Sequence, residues 1–286
     1  MQILRAQELG MCFGVRDALA VLDREPAPAD VTIHGELVHN PEVLALLDRR
    51  GFHRSGEAGR AVPATPVVAV TAHGISDRER AALLAAGKRL VDTTCPLVRK
   101  AHDAAQALAG EGRRVVVLGK RDHVEVRGLT DDLVAPIVVG GLGDVTTWPD
   151  ARLGVVCQTT TQDEVAQELL AAIRRRNPHA DVRFVDTVCA PTKARIQALL
   201  ELLPHVDAMV VVGGHDSNNT RQLVLRAEHH GVRTCHVAHA RELHADWFAD
   251  VRRCGLTAGT STLPKTVEEV HGWLVRLAAG RVKHSA

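Results

Sequence analysis

Tyrosine is absent from this chain of 286 residues, and aromatic side chains make up only 2% of it. Without aromatic faces to stack on, single-stranded nucleic acid has no platform here. An excess of either charge is missing too. The 35 Lys and Arg against 34 Asp and Glu leave a formal net charge of +1, so no global field draws in nucleic acid or anionic lipid. No run approaches the roughly 18 apolar residues of a membrane span. The opening Met1-Gln-Ile-Leu-Arg-Ala-Gln-Glu8 lacks the basic and apolar regions of a secretory signal. The expectation is a cytoplasmic protein with neither nucleic-acid nor membrane partners. In a reducing compartment, six cysteines argue against a disulfide framework and for metal, catalysis or burial. No C-x-x-C pair occurs, which speaks against structural zinc. A P-loop, a G-x-G-x-x-G fingerprint, H-E-x-x-H and G-x-S-x-G are missing as well, so those chemistries have no foothold.

What is present is an α/β pattern. Hydrophobic residues at 45% and charged ones at 24% suit a globular protein large enough for two or three small domains. Short apolar runs alternate with amphipathic segments, the signature of parallel α/β units. Strands are expected at 31–33, 67–70, 89–91, 115–118, 134–139, 153–156, 182–185, 209–212, 234–237 and 255–257. Helices are expected at 41–50, 77–86, 101–109, 163–175, 193–203, 220–230 and 267–278.

Internal repetition organises these elements. Val91-Asp-Thr-Thr-Cys95 returns as Val185-Asp-Thr-Val-Cys189, each closing an apolar run and leading into a helical pattern. A looser third version ends at Cys12. The interval from Cys95 to His123 equals that from Cys189 to Ser217, at 28 residues. The last strand of the third repeat is missing at the C-terminus, and the strand before Cys12 can supply it. The chain therefore reads as three α/β lobes, 13–95, 96–188 and 189–286 completed by strand 1–12, in a pseudo-threefold, trefoil-like arrangement. Ligands of open α/β sheets bind at the carboxyl ends of strands. Three such ends facing one axis would gather three cysteines and six polar loops.

Three converging thiolates can hold an iron–sulfur cluster, a zinc ion or nothing. Each of the three precedes a helix N-terminus, where the dipole favours a thiolate. Cys157, Cys235 and Cys254 have no repeat counterparts, and simple burial accounts for them. At the polar strand ends, Ser76 to Glu79, Thr161 to Glu164 and Thr266 to Glu269 read as capping boxes. His34, His39, His73 and His123 do not read as caps. With Ser217, Asn219 and Ser261 they suit an anion such as a phosphate or diphosphate. Glu125, two residues beyond His123 in an expected loop, has no basic residue directly beside it in sequence. A raised pKa and a part in proton delivery are expected of it.

These residues also bear a resemblance. Gly10-Met-Cys-Phe-Gly-Val-Arg16, Gly35-Glu-Leu-Val-His-Asn40, Ala72-His-Gly-Ile-Ser76, Asp92-Thr-Thr-Cys-Pro-Leu-Val98, His123-Val-Glu-Val-Arg-Gly128, Gln158-Thr-Thr160, Asp186-Thr-Val-Cys189, Ser217-Asn-Asn-Thr220 and Thr257-Ala-Gly-Thr-Ser261 together resemble the LytB/IspH family, in order and across essentially the whole chain. The resemblance implies reductive dehydroxylation of 4-hydroxy-3-methylbut-2-enyl diphosphate to isopentenyl and dimethylallyl diphosphates, the last step of the methylerythritol phosphate route. It implies a central [4Fe–4S] cluster on Cys12, Cys95 and Cys189 with one open iron. It implies a diphosphate held by His39, His73, His123, Ser217, Asn218, Asn219 and Ser261. Glu125 would sit in the proton relay, Thr159 would touch the substrate hydroxyl, and a ferredoxin or flavodoxin would supply electrons.

The sequence departs from the family pattern in one region. Asp122-His-Val124-Glu replaces Gly-His-Pro-Glu, Ser217-Asn218-Asn219 replaces Ser-Ser-Asn, and the family's Arg-Gln after the third cysteine is altered around Arg195-Ile196. Two alternatives stay in view. One is a divergent LytB-like iron–sulfur paralogue with an altered substrate or a sensing or binding role. The other is a hydratase of the aconitase kind, using a three-cysteine cluster without net redox change.

Overall fold

The computed structural model describes residues 1–57 and 60–281. In chain order the elements are β1 (Gln2–Arg5), α1 (Phe13–Asp23), β2 (Val31–Ile33), α2 (Pro41–Arg49), β3 (His53–Arg54), β4 (Val67–Val70), α3 (Asp77–Ala85), β5 (Arg89–Asp92) and α4 (Pro96–Gly110). The middle of the chain gives β6 (Arg114–Leu118), α5 (Val124–Thr130), β7 (Ile137–Val139), β8 (Arg152–Cys157), α6 (Asp163–Arg176), β9 (Asp181–Phe184) and α7 (Ala190–Leu202). The last part gives β10 (Ala208–Val212), α8 (Asn218–His229), β11 (Arg233–Val237), β12 (Arg253–Ala258) and α9 (Pro264–Ala278). No helix among the described residues is long and apolar enough to cross a membrane.

The strands form three four-stranded sheets, as the α/β repeat implies, and every pairing is parallel. Their orders are β3-β2-β4-β5, β7-β6-β8-β9 and β11-β10-β12-β1. Each sheet thus places its first strand beside its third, its second at one edge and its fourth at the other. In the last sheet the fourth strand is the chain's own start, β1, paired with β12 from Gln2 opposite Arg253 to Arg5 opposite Leu256. The strand exchange read from the sequence is present.

Two compact units hold these sheets. Arg16–Val38 with Leu46–Cys189 contains the first two, and Met1–Val15, His39–Ala45 and the chain from Ala190 contain the third. Within each, parallel strands are covered on both faces. In β6, Val116 and Leu118 join one core cluster while Val115 and Val117 join another. In β10, Ala208, Val210 and Val212 face one cluster and Met209 and Val211 the opposite one. Alternation between two buried faces explains why these strands read as unbroken apolar runs rather than alternating patterns. Each fully buried Val contributes about 1.5–3 kcal/mol, so the sheets are firm platforms for the loops at their ends.

Helix boundaries follow local chemistry. Pro96 and Pro264 open α4 and α9, where a missing N–H costs nothing. In α6, Asp163 and Glu164 stand in the first turn and Arg174, Arg175 and Arg176 in the last, matching the dipole at both ends. Several elements differ from expectation. The helices α4, α7, α8 and α9 begin two to five residues earlier than expected from apolar periodicity: α4 and α9 open on Pro, and the first turns of α7 and α8 carry polar residues. The strand expected over 134–139 starts only at Ile137, since Val134 is exposed and Ala135 adopts a positive φ of 46°. The short edge strand β3 has no apolar alternation to announce it. The Val124–Thr130 segment, expected as a loop, is a helix whose Val126 and Leu129 sit in the core.

Candidate active site

Each candidate cysteine follows the fourth strand of a sheet and precedes a helix: Cys12 before α1, Cys95 as N-cap of α4, and Cys189 before α7. The three share one backbone contact. The N–H of Cys95 donates to the carbonyl of Ala72 at 3.1 Å, that of Cys189 to Thr159 at 2.9 Å, and that of Cys12 to Thr260 at 2.9 Å. In every case the acceptor lies two residues beyond the third strand, β4, β8 or β12. All three cysteines are partly exposed, and none of the six forms a disulfide among the described residues. By contrast Cys157 and Cys254 are fully buried in core clusters. Burial pushes the Cys254 thiol up to about 12, with Cys235 adding to it, and burial raises the half-buried Cys235 as well. A metal cluster takes thiolates, which a helix start favours and apolar burial disfavours. Cys12, Cys95 and Cys189 fit that requirement, and the two buried thiols do not.

The larger unit brings together His73, His123, Glu125 and Thr159. The rings of His73 and His123 lie edge to face with centroids 5.4 Å apart. His123 proves to be the N-cap of α5, contrary to its reading as a residue outside the caps. Its Nδ1 accepts the N–H of Glu125 at 3.1 Å. In the neutral ring that contact leaves the proton on Nε2, which becomes a donor. Glu125 is 2% exposed. Its carboxylate accepts the Thr159 N–H at 2.6 Å and the Thr159 hydroxyl at 3.1 Å. Thr159 therefore links Glu125 to Cys189 through its own two backbone groups. His34 leaves the anion set: it is buried, and its Nε2 meets Glu79 Oε1 at 2.9 Å. Burial acts to raise the Glu79 carboxyl, but the His34 hydrogen bond and the Arg60, His34 and Arg127 charges outweigh it and hold Glu79 below the usual range.

The smaller unit holds His39, Ser217, Asn218, Asn219 and Ser261. Ser217 caps α8 by accepting the Thr220 N–H at 3.3 Å. Asn219 is 4% exposed, and its Oδ1 accepts the Thr260 N–H at 2.9 Å. That bond fixes the amide's orientation and leaves Nδ2 buried with no hydrogen-bond acceptor among the described residues. A buried donor without an acceptor costs roughly 1–3 kcal/mol, a cost that an acceptor on a bound ligand would relieve. The next residue of α8, Thr220, packs against two glycines. A Cβ at Gly259 would stand 2.1 Å from Thr220 Oγ1, and one at Gly213, whose φ is 154°, would stand 2.4 Å from it. Asn40, beside His39, accepts the N–H groups of Glu42 and Val43 and donates Nδ2 to the Ser261 carbonyl at 2.7 Å. It ties the His39 and Ser261 segments together. Its place before Pro41 was a legible cap signal, but its second bond is tertiary and invisible in sequence.

The altered positions settle into these frames. Asp122 is exposed, and Val124 occupies the first residue of α5, a position that suits proline and tolerates valine. Asn218 is the half-buried first residue of α8. Arg195 is 4% exposed, and its Nε and Nη2 donate to the Gly10 carbonyl at 3.0 and 2.6 Å. It anchors the loop that leads to Cys12. Of the three expected capping boxes only Ser76 caps, accepting the Glu79 N–H at 3.1 Å. Thr161 donates to the Leu118 carbonyl, while Thr266 donates to Glu42 from inside α9.

Known proteins resemble this chain over nearly its whole length. A family model described as LytB protein matches residues 3–275. The 4-hydroxy-3-methylbut-2-enyl diphosphate reductase of Nitratidesulfovibrio vulgaris (strain DSM 19637 / Miyazaki F) is 36% identical over 283 residues, covering 97% of this chain and all of its own. The enzyme of the same name from Aquifex aeolicus (strain VF5) is 31% identical over 292 residues, with both chains covered in full. A solved (E)-4-hydroxy-3-methyl-but-2-enyl diphosphate reductase, described as the terminal enzyme of the non-mevalonate pathway, superimposes with a TM-score of 0.68 at 30% identity, covering 96% of this chain and 100% of its own. The Plasmodium falciparum E-1-hydroxy-2-methyl-but-2-enyl-4-diphosphate reductase shares the fold with a TM-score of 0.88 at 24% identity, over 96% of this chain and 88% of its own.

Proposed function

The chain belongs to the LytB family, and from that premise we infer that it is a 4-hydroxy-3-methylbut-2-enyl diphosphate reductase, acting at the terminal step of the non-mevalonate route to isoprenoids. The observation that carries this reading furthest is the repeated bond of Cys12, Cys95 and Cys189 to the carbonyl two residues past each third strand. Three equivalent, partly exposed cysteines are what the family's iron–sulfur cluster requires. In our reading three lobes, 13–95, 96–188 and 189–286 with 1–12, present these cysteines as the ligands of a [4Fe–4S] cluster. When bound, that cluster supplies electrons and an open iron acting as Lewis acid.

The side chains divide the remaining work. His39, His73, His123, Ser217, Asn218, Asn219 and Ser261 hold the diphosphate. The buried Nδ2 of Asn219 and the Nε2 proton of His123 support that assignment. Anchoring the diphosphate at several neutral donors orients the allylic alcohol and excludes water from it. Glu125 delivers a proton to the departing hydroxyl, and Thr159 holds Glu125 in place and contacts that hydroxyl. Two electrons and two protons release the hydroxyl as water and leave isopentenyl and dimethylallyl diphosphates. A ferredoxin or flavodoxin of the cytoplasm supplies the electrons.

Anaerobic turnover tests the reading. Given 4-hydroxy-3-methylbut-2-enyl diphosphate and a chemical reductant, the cluster-loaded protein is expected to form both products. Tight binding of the substrate without conversion would instead favour a sensor or binding protein. Addition of water without consumption of reductant would favour a hydratase.

A further inference from the structure

Asp132 lies two residues beyond α5 and takes no part in the chemistry above, yet it closes the start of another helix. Its Oδ2 accepts the N–H of Asp77 at 2.6 Å and its Oδ1 that of Arg78 at 3.0 Å. Ser76 takes the N–H of Glu79. The first three donors of α3 are therefore satisfied, two of them by a residue 55 and 54 positions away. A carboxylate at this end is also favoured by the helix dipole. The carboxylate of Asp77, which would repel Asp132, is occupied by Gln106 Nε2 at 2.9 Å.

The two segments joined in this way carry His73 and His123, the pair of imidazoles whose rings meet edge to face. His73 opens the turn His73-Gly-Ile-Ser76 that enters α3, and His123 caps the helix that Asp132 follows. They touch once more at Gly128, where an added Cβ would lie 3.8 Å from the Ile75 carbonyl carbon and 3.3 Å from His102 Cε1. On the far side Arg127 Nη2 donates to the Glu57 carbonyl at 2.8 Å, while Glu57 Oε1 accepts the Glu36 N–H at 2.7 Å. The segment around α5 is thus held to the first sheet's loops by a cap, a close approach and an arginine.

We propose that Asp132 is a positioning residue for anion binding: its bond to the start of α3 sets the 5.4 Å spacing of the His73 and His123 rings, and with it their grip on the substrate's diphosphate. The inference rests on the diphosphate reading of those two histidines. Releasing the cap lets the His73 turn move against α5 without disturbing either core face, so binding suffers and the chemical step does not.

The test is anaerobic turnover by the cluster-loaded enzyme, with inorganic diphosphate as competitor. Asp132→Ala is expected to raise KM for the substrate and Ki for inorganic diphosphate together, by about 5-fold, with kcat within about 2-fold of the parent. Asp132→Asn, which keeps one acceptor oxygen, is expected to recover part of both shifts. A lowered Tm with unchanged KM and Ki would make Asp132 merely structural and overturn the proposal. Equal shifts in the Asn and Ala variants would do the same. Should the parent itself neither turn over nor be inhibited by diphosphate, the functional reading fails first and takes this inference with it. A working parent with an indifferent Asp132→Ala sinks the positioning role alone.

Discussion

Glu125 and Asn219 occupy the same place in two copies of one scaffold. Each is the second residue of the helix that follows a sheet's first strand, α5 or α8. Each offers a side-chain oxygen to the N–H of the residue two past the third strand, Thr159 or Thr260, whose carbonyl receives a cysteine N–H. In the remaining copy the corresponding N–H, that of Ala72, goes to the Leu37 carbonyl instead. The scaffold thus asks only for an acceptor, and backbone, carboxylate or amide will serve. What differs is the other end of the side chain. Glu125 presents a second oxygen, engaged by the Thr159 hydroxyl, whereas Asn219 presents a buried N–H₂ with no acceptor among the described residues. Under the proposed function, the first end group would handle a proton and the second would hold an anion.

Exchanging these end groups breaks the comparison most sharply. Glu125→Gln keeps an acceptor oxygen for Thr159 but has no proton to give. We expect kcat to fall at least ~10²-fold with KM and iron content unchanged. A kcat within a few fold of the parent would remove Glu125 from the proton path. Asn219→Asp keeps the bond to Thr260 but replaces the donor by a negative charge. KM should rise roughly 50-fold with kcat little altered, because like charges face each other in a dry site. A variant in which kcat falls and KM holds would contradict the assigned division of labour.

A smaller effect is expected where the scaffold alone is touched. Arg195→Ala removes the hydrogen bonds to the Gly10 and Pro191 carbonyls from a buried position. It should destabilise the protein by about 2 kcal/mol in denaturant titration, since the Gly10 carbonyl loses its side-chain donor. Unchanged stability would mean that the loop before Cys12 is fixed by other contacts. The smallest effect concerns acid stability. At Asp92 burial acts to raise the carboxyl, but hydrogen bonds from Thr94 and Arg99 and the Arg80 charge hold it well below the ordinary range. A depressed carboxyl stabilises the folded state above the unfolded pKa of about 4 and ceases to do so as pH falls through its folded value. Asp92→Asn should therefore flatten the acid side of the stability profile below about pH 4 while leaving its alkaline side alone. An unchanged acid limb would contradict that sign.

Much of this was legible in the sequence for a physical reason. Parallel strands buried on both faces leave unbroken apolar runs, and repeated turns leave repeated Asp-Thr-x-Cys strings, so sheets and cysteine positions could be read locally. The 28-residue interval that pairs His123 with Ser217 corresponds in the fold to two helix N-caps. What escaped reading was tertiary. The α5 helix is two turns long and is buried through Val126 and Leu129 rather than announced by periodicity. The His123 ring caps its own helix, a task usually given to Ser, Thr, Asp or Asn. Asp132 caps a helix to which no local spacing connects it, and the hydroxyl of Thr266 leaves its expected capping box for Glu42.

The most direct test is the iron and acid-labile sulfide content of anaerobically reconstituted protein, read beside its Cys95→Ser and Cys157→Ser variants. About four of each per chain are expected in the parent and in Cys157→Ser, with loss of cluster in Cys95→Ser. A parent that takes up no iron, or a Cys95→Ser variant as fully loaded as the parent, would contradict the assignment of Cys12, Cys95 and Cys189 as cluster ligands.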